Sequence, residues 1–322
     1  MIKLFTLLFF ISTITKAQFP GPVGSIGTTA IYKDSSVFIN WATTCVVTRG
    51  YQDIAVPSGG YANVGNDTNG TKKASVNPVV SLGDGGWAIL TFQSPITNGV
   101  GFDFAIFENS FNDVFLELAF VEVSSDGINY FRFPATSNTQ TLTQIGPFDN
   151  TGDATKLNNL AGKYRANYGT PFDLQELSTQ VGLNINAITH VKIIDVVGNI
   201  NAPYATYDKN SNPINDPYPT AFGSGGFDLD ALGIINQLAV GVNENQQLKS
   251  SINIYPNPAN DFVFVYSSAV DIKEINVTDL NGKLITQSHQ SKVLLTNVEA
   301  GFYLLKIIST KGETITKKFI KN

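Results

Sequence analysis

Short runs of alternating apolar and polar residues, bounded by turn formers, recur along almost the whole chain. Examples are GGWAILTF (85–92), VFLELAFVEVS (114–124) and THVKIIDVV (189–197), and most such runs end near Gly, Asn, Asp or Pro. A period of two indicates β-strands, because successive side chains of a strand point to opposite faces of a sheet. Two packed sheets accommodate many strands of this kind. The pattern therefore predicts an all-β protein.

One segment departs from the strand pattern. PFDLQELSTQV, residues 171–181, carries Pro171 at an early helical position, where a missing N–H costs least. We expect a short helix there.

The first 17 residues have the layout of a secretory signal. A positive charge precedes the apolar run 4–11, and the small residues Thr15 and Ala17 stand at the cleavage positions. The apolar run is too short to span a bilayer. We expect cleavage before Gln18 and a mature chain without a membrane span.

Cysteine and histidine are too scarce for several common sites. Cys45 is the only cysteine, so an exported domain cannot form an internal disulfide and must rely on core burial or bound ions. We interpret Cys45 as a small buried hydrophobe. The two histidines, His190 and His289, fall in different predicted domains, which favours neither a thiol protease nor a His-rich zinc site.

Charge divides the chain into an acidic body and a basic tail. Residues 18–248 hold 10 Lys+Arg and 20 Asp+Glu, whereas residues 249–322 hold 9 and 6. Nucleic-acid binding requires clustered basic side chains that neutralise phosphates. The acidic body therefore predicts no nucleic-acid partner and is compatible with cation binding.

Residues 250–322 carry four ordered motifs: IYPNPANDFVFV, VTDLNGKLI, LTNVEAGFYLLKI and the lysine-rich TKKFIKN. This segment resembles the C-terminal sorting domain of type IX secretion in Bacteroidota. The resemblance implies a small Ig-like β-sandwich that acts as an address, engages the type IX machinery and directs the protein through the outer membrane, to be released or attached to the cell surface. The polar stretch 237–249 is predicted to be the linker before it.

The body, residues 18–236, contains the hairpin VEVSSDGINYFRF, whose turn Ser125-Asp126-Gly127 suits a reversal of the chain. This hairpin is similar to one in galactose-binding-like jelly rolls, which implies a jelly-roll β-sandwich. NGVGFDFAIFEN and GSGGFDLDALG also resemble a narrower group of exported bacterial surface proteins of undefined activity. Distant relatives in gut Bacteroidota are associated with surface capture of cobalamin.

Four acids stand among apolar neighbours in two similar stretches, Asp103 and Glu108 in GFDFAIFEN and Asp228 and Asp230 in GSGGFDLDALGII. On regular strands Asp228 and Asp230 share a face, whereas Asp103 and Glu108 point to opposite faces, so at most three converge. Ca²⁺ takes about six to eight oxygen ligands, and these acids are candidates to supply some of them. The alternative is that they lie at strand ends, bonded to backbone amides or basic side chains.

Two loops carry aromatic side chains that we predict as a ligand platform: Tyr164, Tyr168, Phe172, Tyr204, Tyr207 and Tyr218. Rings with a polar tip suit sugars or planar ligands, and loop packing is the alternative.

We therefore expect a secreted or surface-displayed binding or adhesion module, with a glycan as the leading ligand. A carbohydrate-active hydrolase and surface capture of cobalamin or another nutrient are the alternatives. No motif fixes a catalytic pair, so no catalytic residue is assigned and a non-enzyme is favoured.

Overall fold

The computed structural model describes residues 19–238, 252–268 and 270–322. The predicted signal and most of the predicted linker lie outside the described residues. The chain divides into two compact units, residues 1–239 and 240–322. A search of the described residues for a helix that could cross a membrane found none.

The described part of the first unit is built from short strands and four 3-10 turns. The turns are Pro57–Gly59, Asp67–Gly70, Ala154–Lys156 and Leu174–Leu177. The strands are β1 (Ile31–Tyr32), β2 (Asn40–Trp41), β3 (Thr44–Thr48), β4 (Val80–Ser81), β5 (Trp87–Ile96), β6 (Phe104–Glu108), β7 (Ala119–Ser124), β8 (Phe131–Arg132), β9 (Thr136–Ser137), β10 (Leu157–Asn158), β11 (Tyr168–Phe172), β12 (Ile188–Asp195) and β13 (Asp228–Ile234).

These strands form two main antiparallel sheets and a small β9–β10 ribbon. The first sheet has the order β1-β11-β6-β13-β2, with β4 also paired to β13, and the second has the order β3-β5-β12-β7-β8. Their facing sides meet in one core, where Phe104 and Leu232 of the first sheet join Leu90, Val121 and Val191 of the second. All five side chains are buried because alternate positions of each strand point inward. The expected sandwich body is confirmed.

The hairpin predicted around Gly127 is present. Strand β7 pairs with β8, and Gly127 adopts a positive φ of 75° in the turn between them. The Asp126 carboxylate accepts hydrogen bonds from the backbone N–H groups of Ile128 and Asn129, at 2.9 and 2.8 Å. The turn is therefore closed by its own residues, as its composition indicated.

The helix expected over 171–181 is wrong. Pro171 lies in β11, opposite Ala105 of β6, and only Leu174–Leu177 forms a single 3-10 turn. Phe172, Leu174 and Leu177 are all packed in the sandwich core. An extended segment followed by one tight turn buries these three side chains together, and this tertiary packing overrides the local helix signal.

Strand β13 contains a bulge at Asp230. Leu229 pairs with Glu108 of β6 and Ala231 pairs with Phe107, so Asp230 is the extra residue between them. Leu229 points into the main core, whereas Ala231 packs with Phe107 in a separate cluster. The regular alternation that predicted one shared face for Asp228 and Asp230 is therefore interrupted between them.

The second unit is a smaller sandwich. Its sheets have the orders β14-β15-β18 and β17-β16-β19-β20, and Val263, Val277, Ile307 and Phe319 are buried between them. The strands are β14 (Ile252–Tyr255), β15 (Phe262–Ser267), β16 (Ile272–Thr278), β17 (Leu284–Ser288), β18 (Lys292–Leu294), β19 (Gly301–Ser309) and β20 (Thr314–Lys321). The small all-β unit predicted for this segment is confirmed.

Candidate functional site

A cavity of about 540 Å³ opens on the first unit. Three segments that are distant in sequence form it: the chain after β6, the loop around residue 148 and the approach to β13. Its volume is in the range of sites that hold small ligands. The lining residues, which we call the aromatic cavity, are Asn109, Ser110, Phe111, Asn112, Phe115, Glu117, Pro147, Phe148, Asn150, Phe222, Ser224 and Asp228.

Two pairs of phenyl rings line the aromatic cavity. Phe111 and Phe115 have ring centroids 5.9 Å apart, and Phe148 and Phe222 have centroids 5.8 Å apart with planes within 15° of parallel. Phe111 is 86% exposed and Phe148 is 73% exposed. Large apolar rings grouped at an open cavity are typical of interaction sites, because solvent-exposed phenyl area is unfavourable without a partner.

Asp228 and Glu117 bring carboxylates to the same cavity, and both residues are more than nine-tenths buried. Ser81 Oγ donates a hydrogen bond to Asp228 Oδ1. Burial raises the pKa of Asp228 to about 6, although the Ser81 hydroxyl and the Arg49 charge oppose this rise. The pKa of Glu117 is raised well above its usual value by burial, then by the charges of Glu108 and Asp228.

Glu108 adjoins this pair and is only partly satisfied. It is 1% exposed, its Oε2 accepts a hydrogen bond of 2.7 Å from the backbone N–H of Ser110, and its Oε1 has no hydrogen-bond partner. Burial and the charge of Asp228 raise its pKa well above the usual value. A buried oxygen without a partner is unfavourable.

Three further buried acids extend this group: Asp195 and Asp216 act electrostatically on Glu117, and Asp84 acts on Asp195 and Asp216. Burial raises the pKa of Asp84 to about 7 and that of Asp195 to about 8, and it also raises the pKa of Asp216. Backbone N–H groups hold each of them: Ile54 donates to Asp84, Phe227 and Gly85 donate to Asp195, and Leu118 donates to Asp216. None of the six acids takes part in an ion pair within the described ranges.

The four acids predicted as a calcium site are not brought together as a set. Asp103 accepts hydrogen bonds from Gly99 N, Leu174 N and Asn236 Nδ2, at 2.7, 2.8 and 2.9 Å. Asp230 accepts from Ser75 N at 2.9 Å. These two acids follow the alternative expectation of bonding to backbone amides. In the part of the chain that the structure describes, no group of three or more His, Cys, Asp or Glu side chains is suited to hold a metal ion.

The predicted aromatic platform is not assembled either. Tyr164 is buried with its hydroxyl 2.8 Å from Thr29 Oγ1, and Phe172 packs against Phe104 in the core. Tyr218 is almost buried and donates a hydrogen bond of 3.0 Å to Asp53. Of the remaining three, Tyr168 packs against Tyr32, Tyr204 is half-buried and Tyr207 is half-exposed. Most of these rings are packed against other residues. The phenylalanines of the aromatic cavity form the open aromatic surface instead.

Sequence reasoning overlooked most of the aromatic cavity. Phe111 and Phe115 follow the FEN motif directly, and Phe222 directly precedes GSGG. Their closeness to the FEN and GSGG motifs is the sequence signal that could have identified them. Nothing local connects them to Phe148, because that contact joins residues that are 74 positions apart in the chain.

The fold and the cavity define an all-β protein with an open aromatic cavity in its first unit. Residues 253–322 match the family described as "Secretion system C-terminal sorting domain". The second unit is therefore a type IX sorting domain, and the protein is exported through the outer membrane to the cell surface or the medium. No curated protein matches the chain.

Among solved structures, the chain is similar to β-glucuronidases at low identity. For the Ruminococcus gnavus enzyme in complex with uronic isofagomine, identity is 11%, coverage is 89% of this chain and 45% of that chain, and the TM-score is 0.22. For the Faecalibacterium prausnitzii enzyme the values are 10%, 88%, 45% and 0.17. The chain thus spans less than half the length of these enzymes, and the likeness carries no functional argument.

Proposed function

We propose that the body is an exported binding module that holds a saccharide in the aromatic cavity. The observation that carries this proposal is the pairing of two phenyl walls with buried carboxylates in one open cavity of about 540 Å³. Sugar rings offer apolar C–H faces that pack on aromatic rings, and their hydroxyl groups need acceptors and donors at fixed positions. The cavity supplies both kinds of contact.

Amide side chains add the fixed polar positions. Asn112 Oδ1 accepts hydrogen bonds from the backbone N–H groups of Val114 and Phe115, at 2.9 and 2.7 Å. Asn112 Nδ2 donates to Asn150 Oδ1 at 2.8 Å, which joins two of the segments that line the cavity. Such pre-organisation lowers the entropy lost when a ligand binds. Export supports the proposal because the sorting domain delivers this cavity to the extracellular side.

A glycan array probed with the secreted protein tests this function. We expect binding to at least one saccharide, and we expect Phe148→Ala and Phe111→Ala each to weaken it about fivefold, the loss of one ring contact of about 1 kcal/mol. Tyr207→Ala is the matched control, because it removes a half-exposed ring that does not line the cavity. Wild-type affinity in both phenylalanine variants, or an array without any bound saccharide, would contradict the proposal.

A glycoside hydrolase is the second candidate, and one observation favours it. Glu117 and Asp228 line the same cavity, and both have raised pKa values, as the general acid of such an enzyme does. Incubating the bound saccharide with the wild-type protein and with Glu117→Gln decides between the candidates. Release of reducing ends by the wild type alone would establish hydrolysis, whereas an unchanged saccharide in both samples leaves binding as the function.

A further inference from the structure

We infer that the saccharide held in the aromatic cavity carries a positive charge, in the form of a free amino group on the sugar. This inference rests on the proposed function and adds the ligand's charge to it. Its observations are the acids of the cavity, the lack of an ion-pair partner for them among the described residues and the phenyl rings that line the same cavity.

The first observation is an incomplete set of hydrogen bonds around the acids. Glu108 Oε1 is buried and has no partner, and Glu108 is coupled electrostatically to Asp228, which lines the cavity. Glu117, also in the lining, is 8% exposed. Glu117 and Asp228 thus bring carboxyl groups to the cavity, with Glu108 buried behind Asp228 in the same electrostatic group, and an ammonium group is a donor with the complementary charge.

The second observation concerns Arg49, the basic residue whose charge acts on Asp228. Arg49 lowers the pKa of Asp228, yet its guanidinium donates hydrogen bonds to the backbone carbonyls of Val64, Gly65 and Ser81. Among the residues that the structure describes, no lysine or arginine lines the cavity. Glu117 and Asp228 therefore have no ion-pair partner among the described residues.

The third observation is the chemistry of the walls. The faces of aromatic rings carry partial negative charge and attract cations, so the two phenyl pairs favour the same ligand charge as the acids. A bare divalent ion fits less well, because Ca²⁺ takes about six to eight oxygen ligands and the described residues offer no group of three acids suited to a metal. An amino sugar can pair its charge with the acids, pack on the rings and occupy the cavity volume at the same time.

The raised pKa values give this inference a distinctive readout. Without ligand, Glu117 and Glu108 hold their protons more tightly than free carboxylic acids do. When the ligand's ammonium group approaches, the ionised carboxylates are favoured, so a carboxylic O–H breaks and its proton leaves to the buffer. Binding of an amino sugar should thus release protons, and binding of the neutral analogue should not.

The experiment compares glucosamine tetramer with N-acetylglucosamine tetramer, which share a backbone and differ in free amine against neutral acetamide. Titration calorimetry of the full secreted protein at pH 5.5, where the sugar's amino groups are already protonated, in two buffers of different ionisation enthalpy, gives both affinity and proton release. We expect the free amine to bind at least tenfold more tightly, with proton release. Glu117→Gln and Asp228→Asn should each reduce this preference to about threefold or less, because each removes an acid that faces the ligand's amine.

Asp230→Asn is the matched control, because it makes the same charge change on the same strand at a residue outside the cavity lining. It should keep the wild-type preference. Equal affinity for the two tetramers, tighter binding of the acetylated one, or no binding of either overturns the inference. The glycan array decides the proposed function separately, because a module for neutral sugars passes that test and fails this one. The comparison of tetramers on the wild-type protein stands even where a variant does not fold.

Discussion

Glu108 of β6 and Asp228 of the neighbouring strand β13 are both buried: burial, and then the charge of Asp228, raises the pKa of Glu108, and no ion pair among the described residues involves either acid. Two adjacent buried carboxylates oppose each other's ionisation, because the interior screens charge poorly. A fold that holds two carboxylates buried side by side without an ion pair is less stable at neutral pH. We interpret this cost as the consequence of presenting acids to a ligand.

The first prediction concerns pH. Burial raises the pKa values of Asp84, Asp195 and Asp228 to about 7, about 8 and about 6, whereas aspartates of an unfolded chain titrate at about 3.9. The folded state therefore binds more protons between these limits, and the free energy of unfolding should fall as the pH rises from about 4 to about 8. Each titrating group contributes on the order of 1 kcal/mol per pH unit.

Urea unfolding at pH 5 to 8, followed by tryptophan fluorescence, measures this trend in the body alone, because both tryptophans, Trp41 and Trp87, belong to it. Asp84→Asn should flatten the decline between pH 6 and 8, since the amide does not titrate. Asp34→Asn should leave the decline unchanged, because Lys73 lowers the pKa of that exposed acid below this range. A free energy of unfolding that increases with pH would contradict the prediction, because it would show that other groups offset the charges of the buried acids.

A second prediction tests whether Phe172 is a core residue or part of the aromatic platform predicted from the sequence. Phe172 is fully buried against Phe104 and Phe133. Phe172→Ala should lower the free energy of unfolding by about 3–5 kcal/mol, because it removes a large buried ring and leaves a cavity. Tyr207→Ala, at a half-exposed ring, should change it by about 0.5 kcal/mol or less. Urea unfolding of the two variants gives both values, and similar losses would contradict the assignment of Phe172 to the core.

A third prediction concerns the backbone next to Glu117. Gly162 has a φ of 81°, and a Cβ there would lie 1.7 Å from the Glu117 carbonyl oxygen. Gly162→Ala should therefore cost several kcal/mol, more than the roughly 1–2 kcal/mol of a positive φ alone. Gly182→Ala is the control, because its φ is 93° and the nearest atom, Phe131 Cζ, would lie 3.8 Å away. Equal melting temperatures for the two variants would show that the backbone near Glu117 moves freely.

Cys45 provides a fourth prediction. Its side chain is buried, and burial raises the pKa of its thiol to about 12. Because the thiolate is the reactive form, the native protein should resist iodoacetamide at pH 8 and react once urea unfolds it. Mass spectrometry of the alkylated peptide measures the fraction modified. Rapid labelling of the native chain would show that this strand opens to solvent.

The strands were predictable because a period of two is a local property of the sequence. The β7–β8 turn was predictable for the same reason, since Asp126 and Gly127 close it with bonds to their immediate neighbours. The sorting domain was recognised because its motifs lie within one contiguous segment, and the matched residues confirm it. These features need no knowledge of which distant residues meet.

The site depends on contacts between distant residues, and only the tertiary structure decided it. The bulge at Asp230 arises from the pairing of β13 with β6, and it separates two acids that strand alternation had placed together. Phe148 packs against Phe222, and Glu117 lines the same cavity as Asp228, through a chain closure that no local pattern encodes. The sequence by itself determined strands, turns and export, because short-range sterics and contiguous motifs specify them. Sheet pairing and packing determined which acids and rings share a cavity.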